Sequence, residues 1–139
     1  GWPVEIYLDA KTHKYVEEFA TSNFAGITKD GTYVTPDSRS VLPSVTNMSL
    51  RQCAADLGWK VERRPIPYEE IRTFAEVAAC GTAVVVTPVW EITRGEEVIR
   101  ISGPTEVGEH LQRLYDMVQG IQYGTLPDVH GWCHRVEIP

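Results

Sequence analysis

Cysteine is scarce in this sequence and scattered. Cys53, Cys80 and Cys133 form no C-x-x-C pair, which excludes the disulfide framework of a small secreted domain and points to reduced thiols. An intracellular, cytoplasmic location is the expectation, or a mitochondrial one if the chain belongs to a longer precursor. Long hydrophobic runs are also lacking. The longest apolar stretch, Ala78 to Val89, is broken by Cys80-Gly81-Thr82, Thr87 and Pro88, so no membrane span is read, and no signal peptide is visible. Positive charge is in deficit, with 13 Lys and Arg against 19 Asp and Glu for a net charge of −6. Nucleic-acid binders usually present a basic stripe, so that partner class is excluded. The basic clusters Lys60/Arg63/Arg64 and Arg94/Arg100 are diluted by Glu62, Glu69, Glu70, Glu91, Glu96 and Glu97 and read as solvated faces.

Metal and nucleophile signatures are missing too. His130-Gly131-Trp132-Cys133-His134 groups soft ligands, but adjacent side chains at 133 and 134 point awkwardly for one tetrahedral ion, so a tail loop without metal is expected. His13 and His110 have no sequence-local partner and are read as surface residues. No Ser/His/Asp order or Cys/His pairing stands out.

What is present is the composition of a folded chain. The 139 residues, 42% hydrophobic and 23% charged, fit one domain, residues 1–139. The first residue is Gly rather than Met, read as the mark of a fragment, a processed product or one half of something larger.

Val4 to Leu8 alternates as a strand, and Asp9 to His13 is a polar turn before a second strand from Tyr15 to Phe19. Phe24–Thr28 and Thr32–Thr35 flank Lys29-Asp30-Gly31, the chemistry of a tight hairpin turn. Ser44 or Thr46 is a candidate N-cap for a short helix carrying Leu50, Cys53, Ala54 and Leu57, with Gly58 as its stop. Trp59 to Arg63 reads as a strand ended by Pro65 and Pro67. Pro67 through Val77 reads as helix with acidic residues in its first turn. Ala83 to Val89 is β-branched and expected to be a strand buried on both faces. Strands Trp90–Thr93 and Val98–Ile101 close around Arg94-Gly95. A last amphipathic helix is expected from Thr105 to Gln122, with Val107, Leu111, Leu114, Tyr115, Val118 and Ile121 on one stripe, and the tail after Gly124 as loop. The fold class is therefore mixed α/β, α+β-like, with a largely antiparallel sheet.

Three short turns offer backbone N–H groups beside small hydroxyls: Thr21-Ser22-Asn23, Ser44-Val45-Thr46-Asn47 and Cys80-Gly81-Thr82-Ala83. Several N–H dipoles converging on one point bind phosphate or carboxylate. Gly81 permits close backbone approach, and Thr46 or Thr82 adds a hydroxyl donor. Taken alone, each is also an ordinary turn or cap.

Five segments in order, Glu17 to Phe24, Thr35-Pro36, Leu42 to Asn47, Glu76 to Ala83 through Thr87-Pro88-Val89, and Ile121 to Gly124, resemble the signature blocks of branched-chain amino-acid aminotransferases, fold-type IV enzymes that use pyridoxal 5′-phosphate. The resemblance covers Tyr7 to Trp132 and implies the C-terminal, cofactor-binding domain of that fold. It implies that Glu18 pairs with the pyridine nitrogen, where the bland alternative is a solvated strand glutamate. Val45 and Thr46 match the loop that holds the cofactor phosphate, Thr82 matches a further phosphate hydroxyl, and Thr21 falls in the first cofactor-facing turn. The amides of Thr82 and Ala83 match the receiver of the substrate carboxylate.

The sequence departs from the family pattern in places. Ala20 stands where glycine is usual, which is expected to crowd the ring or alter the turn. Ser44 and Asn47 replace the commoner glycine and arginine, and Val84 and Thr87 replace a redox C-x-x-C found in some relatives. In the family the Schiff-base lysine lies about 35 residues before the pyridine-pairing glutamate. Glu18 has 17 residues ahead of it, and Lys11 and Lys14 lie in the wrong segment. The lysine serves transamination as covalent partner and as proton carrier, so no transaminase activity is expected of this chain alone.

Three functions stay open on the sequence. The chain is the cofactor half of an aminotransferase acting on a small-molecule substrate, completed by its missing N-terminal half. Or it is a shortened descendant working as a lysine-independent acid–base enzyme of secondary metabolism, with Glu18, Tyr7, Tyr15 and the Thr21 and Thr46 hydroxyls as candidate groups. Or it is a non-catalytic binding or regulatory partner that docks on a full-length homologue or on another copy of itself.

Overall fold

The computed structural model describes residues 3–137. Its centre is a seven-stranded sheet built on β3 (Ser22–Thr28), which pairs with β2 (Val16–Phe19), β4 (Tyr33–Pro36) and β6 (Phe74–Gly81). β1 (Ile6–Leu8) extends the sheet beyond β2, β5 (Val61–Arg64) beyond β4 and β7 (Val85–Pro88) beyond β6. All pairings in this sheet are antiparallel except β4 with β5. The crossover between those two strands is α1 (Val45–Asp56), in keeping with the need of parallel strands for a helical connection. β8 (Glu91–Arg94) and β9 (Glu97–Arg100) form a separate hairpin, and α2 (Glu109–Gln122) closes the fold.

Successive side chains on a strand face opposite sides, and β3 and β4 are buried on both. Ala25, Ile27 and Tyr33 join Ala78 and Cys80 in a core beneath α1 and α2, filled by Leu50, Cys53, Leu111 and Leu114. Phe24, Val34 and Val77 form the opposite core with Val16, Phe19, Phe74, Ile92 and Ile99. On that second face Gly26 lies directly beneath Phe74, whose ring sits 3.0 Å from where a Cβ would stand.

The helix ends follow from local chemistry. Ser44 is the N-cap of α1, its hydroxyl accepting from the Asn47 amide at 3.1 Å. At the other end Gly58 takes φ +76, its N–H bonds Ala55 O at 2.9 Å and the Trp59 N–H bonds Ala54 O at 3.0 Å, a Schellman arrangement that closes the last turn. The two hairpin turns expected at Asp30-Gly31 and Arg94-Gly95 are both present.

Four expectations need correction. Only Tyr68–Thr73 of the segment from Pro67 to Val77 is helical, as a 3-10 turn, and Phe74 onward is β6. The helix-forming Glu and Ala residues there are overruled by pairing along the whole length of β3. β7 is shorter than Ala83–Val89 and is not buried on both faces: of its residues only Val85 is buried, Val86 and Pro88 are half-buried and Thr87 is exposed, as suits a strand at the sheet edge. The last helix starts at Glu109 rather than Thr105, so Val107 precedes it and is exposed. Its start is fixed by Glu76 of β6, whose carboxylate accepts from the His110 and Leu111 amides at 3.1 and 2.9 Å and lies 2.9 Å from His110 Nδ1. His110 is thus a half-buried partner of Glu76, packed edge-on against Trp59, and not a free surface residue.

The basic clusters are partly built in. Arg64 is only 33% accessible at its side chain and bridges Glu62 and Glu70, and those carboxylates hold its guanidinium charged more firmly than usual. Residues 125–137 of the tail form no helix or strand, and His130 ties them to α1 by pairing with Asp56 at 2.7 Å. Among the described residues no three or more His, Cys, Asp or Glu side chains are grouped to hold a metal ion. No helix among them is long and apolar enough to cross a membrane.

Candidate functional site

The strand registers define two ends of the sheet. β2 runs toward the turn Ala20-Thr21, β3 starts there, and the end of β6 pairs with that start, Cys80 opposite Asn23. Among the described residues a Cβ on Gly81 would meet only Ser22 Cβ, at 3.8 Å, so the backbone around Gly81 is open to them. The exposed turn Thr82-Ala83-Val84 follows at once, and Val85 beyond it takes φ +60. The start of α1 is drawn to the same end by a bond from Asn47 Nδ2 to Asn23 Oδ1 at 3.2 Å. The three turns singled out in the sequence therefore gather at one end of the sheet, and Asn23 connects the elements that carry them.

Glu18 is half-buried at this end. Val16 and Phe19 pair with Leu8 and Ile6, which leaves Glu17 and Glu18 together opposite Tyr7, a bulge that turns both glutamates away from the core. Glu17 Oε1 accepts from Ser38 Oγ at 2.7 Å. Glu18 Oε2 accepts from Asn23 Nδ2 and from the Leu42 amide, both at 3.2 Å, while Oε1 takes no donor among the described residues. Glu18 is thus neither a free surface group nor a fully satisfied buried one. Ala20 sits in the two-residue turn without a positive φ, so its methyl group leaves the local backbone undistorted.

The first turn of α1 carries no acidic side chain, and no acceptor among the described residues takes the amides of Val45 or Thr46. Open N–H groups at a helix start favour an anion. Val45 is 73% exposed and Thr46 half-buried. Thr21 and Thr82 are exposed in their turns.

Of the other candidates, Tyr7 is exposed on β1, directly across from the Glu17/Glu18 bulge, and the rest fall elsewhere. Tyr15 lies beyond the opposite end of β2, bridged to Pro67, with its amide held by Asp9 at 2.9 Å. All four lysines share that far end: Lys11 and Lys14 precede β2, Lys29 caps the β3–β4 hairpin, and Lys60 precedes β5, its carbonyl bonded to the Tyr33 amide. A seven-residue strand separates the ends by roughly 20 Å.

Sequence reasoning missed the polar group beneath Glu18. Asn23, Thr35 and Asn47 are buried, and Tyr33 is fully so. Asn47 Nδ2 donates to Thr35 Oγ1 at 2.8 Å as well as to Asn23, and Tyr33 OH donates to Asn47 Oδ1 at 2.9 Å. Burial holds the Tyr33 phenol well above its ordinary pKa. The signal for Asn23 and Thr35 was a polar residue at an inward strand position, and for Asn47 a polar residue on the buried face of α1.

The sequence profile of the amino-transferase class IV family matches residues 6–92. The branched-chain-amino-acid aminotransferase of Haemophilus influenzae is 43% identical over 133 residues, which are 95% of this chain and 39% of that protein. Aminotransferase atnJ of Emericella nidulans is 40% identical, over 99% of this chain and 42% of its own length. Among solved structures, an Escherichia coli branched-chain amino acid aminotransferase superposes with TM-score 0.82 at 28% identity, over 95% of this chain and 41% of that one. The branched-chain amino acid aminotransferase of Thermobaculum terrenum, in its PLP-form, superposes with TM-score 0.73 at 28% identity, over 89% and 38% of the two chains. The chain thus spans about two fifths of the length of the relatives it matches.

Proposed function

Because the chain belongs to the class IV aminotransferases, we propose that it is the half of such an enzyme that grips pyridoxal 5′-phosphate and receives the substrate carboxylate. The observation that carries this reading is the gathering of Glu18, the Val45 and Thr46 amides and the Thr82-Ala83 turn at one end of the sheet. The groups present fit the cofactor. Open amides at an acid-free helix start suit a phosphate, and Glu18 Oε1, which takes no donor among the described residues, suits a ring N–H. In this assignment Val45, Thr46 and Thr82 hold the phosphate, Thr21 lines the ring side, Glu18 keeps the proton on the ring nitrogen, and the Thr82 and Ala83 amides take the substrate carboxylate. When bound, the cofactor supplies the electron sink for chemistry at the substrate Cα.

The lysine that bonds the cofactor and moves the proton must come from outside these residues, since all four lysines lie at the far end of the sheet. The chain is therefore a transaminase only when joined to, or assembled with, a segment that carries it, in the manner of a missing N-terminal half or a full-length homologue.

Titration with pyridoxal 5′-phosphate, followed by cofactor absorbance, tests both parts. Thr82→Val and Glu18→Ala each weaken binding about tenfold, the worth of a charge-assisted hydrogen bond. Borohydride treatment of the complex leaves no cofactor mass on the protein, and leucine with 2-oxoglutarate is not turned over. Unchanged affinity in both variants overturns the site, and turnover or a reduced covalent adduct overturns the lysine argument.

A further inference from the structure

The buried polar group beneath Glu18 has only one consistent arrangement of hydrogens. The Glu18 carboxylate and the Leu42 carbonyl can only accept, so the Asn23 atom 3.2 and 3.1 Å from them is its NH2, with both hydrogens used. Asn23 Oδ1 then needs a donor, and the Asn47 atom 3.2 Å away is an NH2 as well. Its second hydrogen goes to Thr35 Oγ1, which is free to accept because its own hydrogen goes to Phe24 O at 3.1 Å. Asn47 Oδ1 in turn takes the Tyr33 hydroxyl hydrogen. Along the line Tyr33, Asn47, Asn23, Glu18 each group donates to the next one toward Glu18. Reversal would leave two acceptors facing each other in a buried site, at about 1–3 kcal/mol for each unpaired group.

Among the described residues Glu18 Oε2 therefore meets two donors and nothing else, while Oε1 takes none. We infer that Asn47 and Asn23 are positioning residues that fix Glu18 as a pure acceptor with Oε1 outward, so that the site selects a protonated ring nitrogen, a pyridinium N–H, over an aromatic C–H or an unprotonated nitrogen at the same place. The inference rests on the cofactor reading above and adds to it a preference with a built cause. The Asn47 carbonyl is what accepts the Tyr33 hydroxyl hydrogen, so the line depends on an amide side chain at this position.

The test compares pyridoxamine 5′-phosphate with its 1-deaza analogue, which has C–H in place of the ring nitrogen and the same phosphate. The chain prefers the former by about tenfold or more, as a charge-assisted bond to Oε1 requires. In Asn47→Leu the preference falls to within about twofold while binding of the deaza analogue is kept, a split that a general loss of structure does not produce. Tyr33→Phe, which keeps the ring volume, lowers the preference in the same direction and serves if Asn47→Leu does not fold. An undiminished preference in both variants overturns the positioning role. A ligand-free arm separates this outcome from failure of the cofactor reading. The Asn23 side-chain NH2 resonances are slow to exchange with solvent in the unmodified chain and exchange rapidly in Tyr33→Phe or Asn47→Leu. Absence of binding by both ligands, with that protection pattern present, removes the cofactor reading and leaves the hydrogen-bonded line standing. Rapid exchange in the unmodified chain removes the line itself.

Discussion

Asp9 shows how one side chain can organise a turn. Its carboxylate accepts from the Thr12, Lys14 and Tyr15 amides and from the Thr12 hydroxyl, and these donors, the Tyr15 amide first, hold it well below the ordinary carboxylate pKa. A carboxyl whose folded pKa is depressed adds stability above its unfolded value, near pH 4, and the gain is lost as pH falls through the folded value. Asp9→Asn is therefore less stable than the unmodified chain at neutral pH, and the two denaturation midpoints converge as the pH is taken below about 3. A constant gap across that range would show that the carboxylate charge contributes nothing. Glu76 works across a longer distance, capping α2 from a strand 34 residues away. Glu76→Ala exposes two helix amides and is expected to cost about 1–3 kcal/mol in chemical denaturation. A Cβ at Gly108 would lie 1.9 Å from the Glu76 carboxyl carbon, so Gly108→Ala displaces that carboxylate and disturbs the same cap.

Helix α1 is the element whose limits were most legible. Ser44 and Gly58 declare its ends through cap chemistry that acts over a few residues. Gly58→Ala is expected to cost about 1 kcal/mol by equilibrium unfolding, from the positive φ alone, since nothing lies within 4 Å of the added methyl group. β6 was illegible for the complementary reason. Glu69 to Val77 has helical propensity, and what makes Phe74 onward a strand is register with β3, some fifty residues earlier, which no local window contains. The same divide runs through the candidate site. Thr21, Val45, Thr46 and Thr82 were read from short blocks of sequence, whereas the line from Tyr33 to Glu18 depends on contacts between separate elements. Asn47 looked there like a mere replacement for arginine.

The molecule is organised by its seven-stranded sheet, with a core on each face, and the two cores share β3, β4 and β6. Loss of either core strips support from the same strands, so both should unfold together. Phe24→Ala and Ile27→Ala, on opposite faces, each lower stability by about 2–5 kcal/mol. In each variant the far-ultraviolet dichroism and the tryptophan fluorescence report one coincident transition. Two separated transitions would show that the faces are independent.

The three thiols divide by depth. Cys53 and Cys80 belong to the core beneath the helices, and burial pushes their pKa values up to about 11 and about 12. Cys133 is exposed on the tail that His130 ties to α1. An alkylating reagent therefore meets one ready sulfur and two that answer only when the sheet parts from its helices. The chain carries its own clock: the first label marks time zero at the tail, and the delay before the second and third measures how often the interior opens.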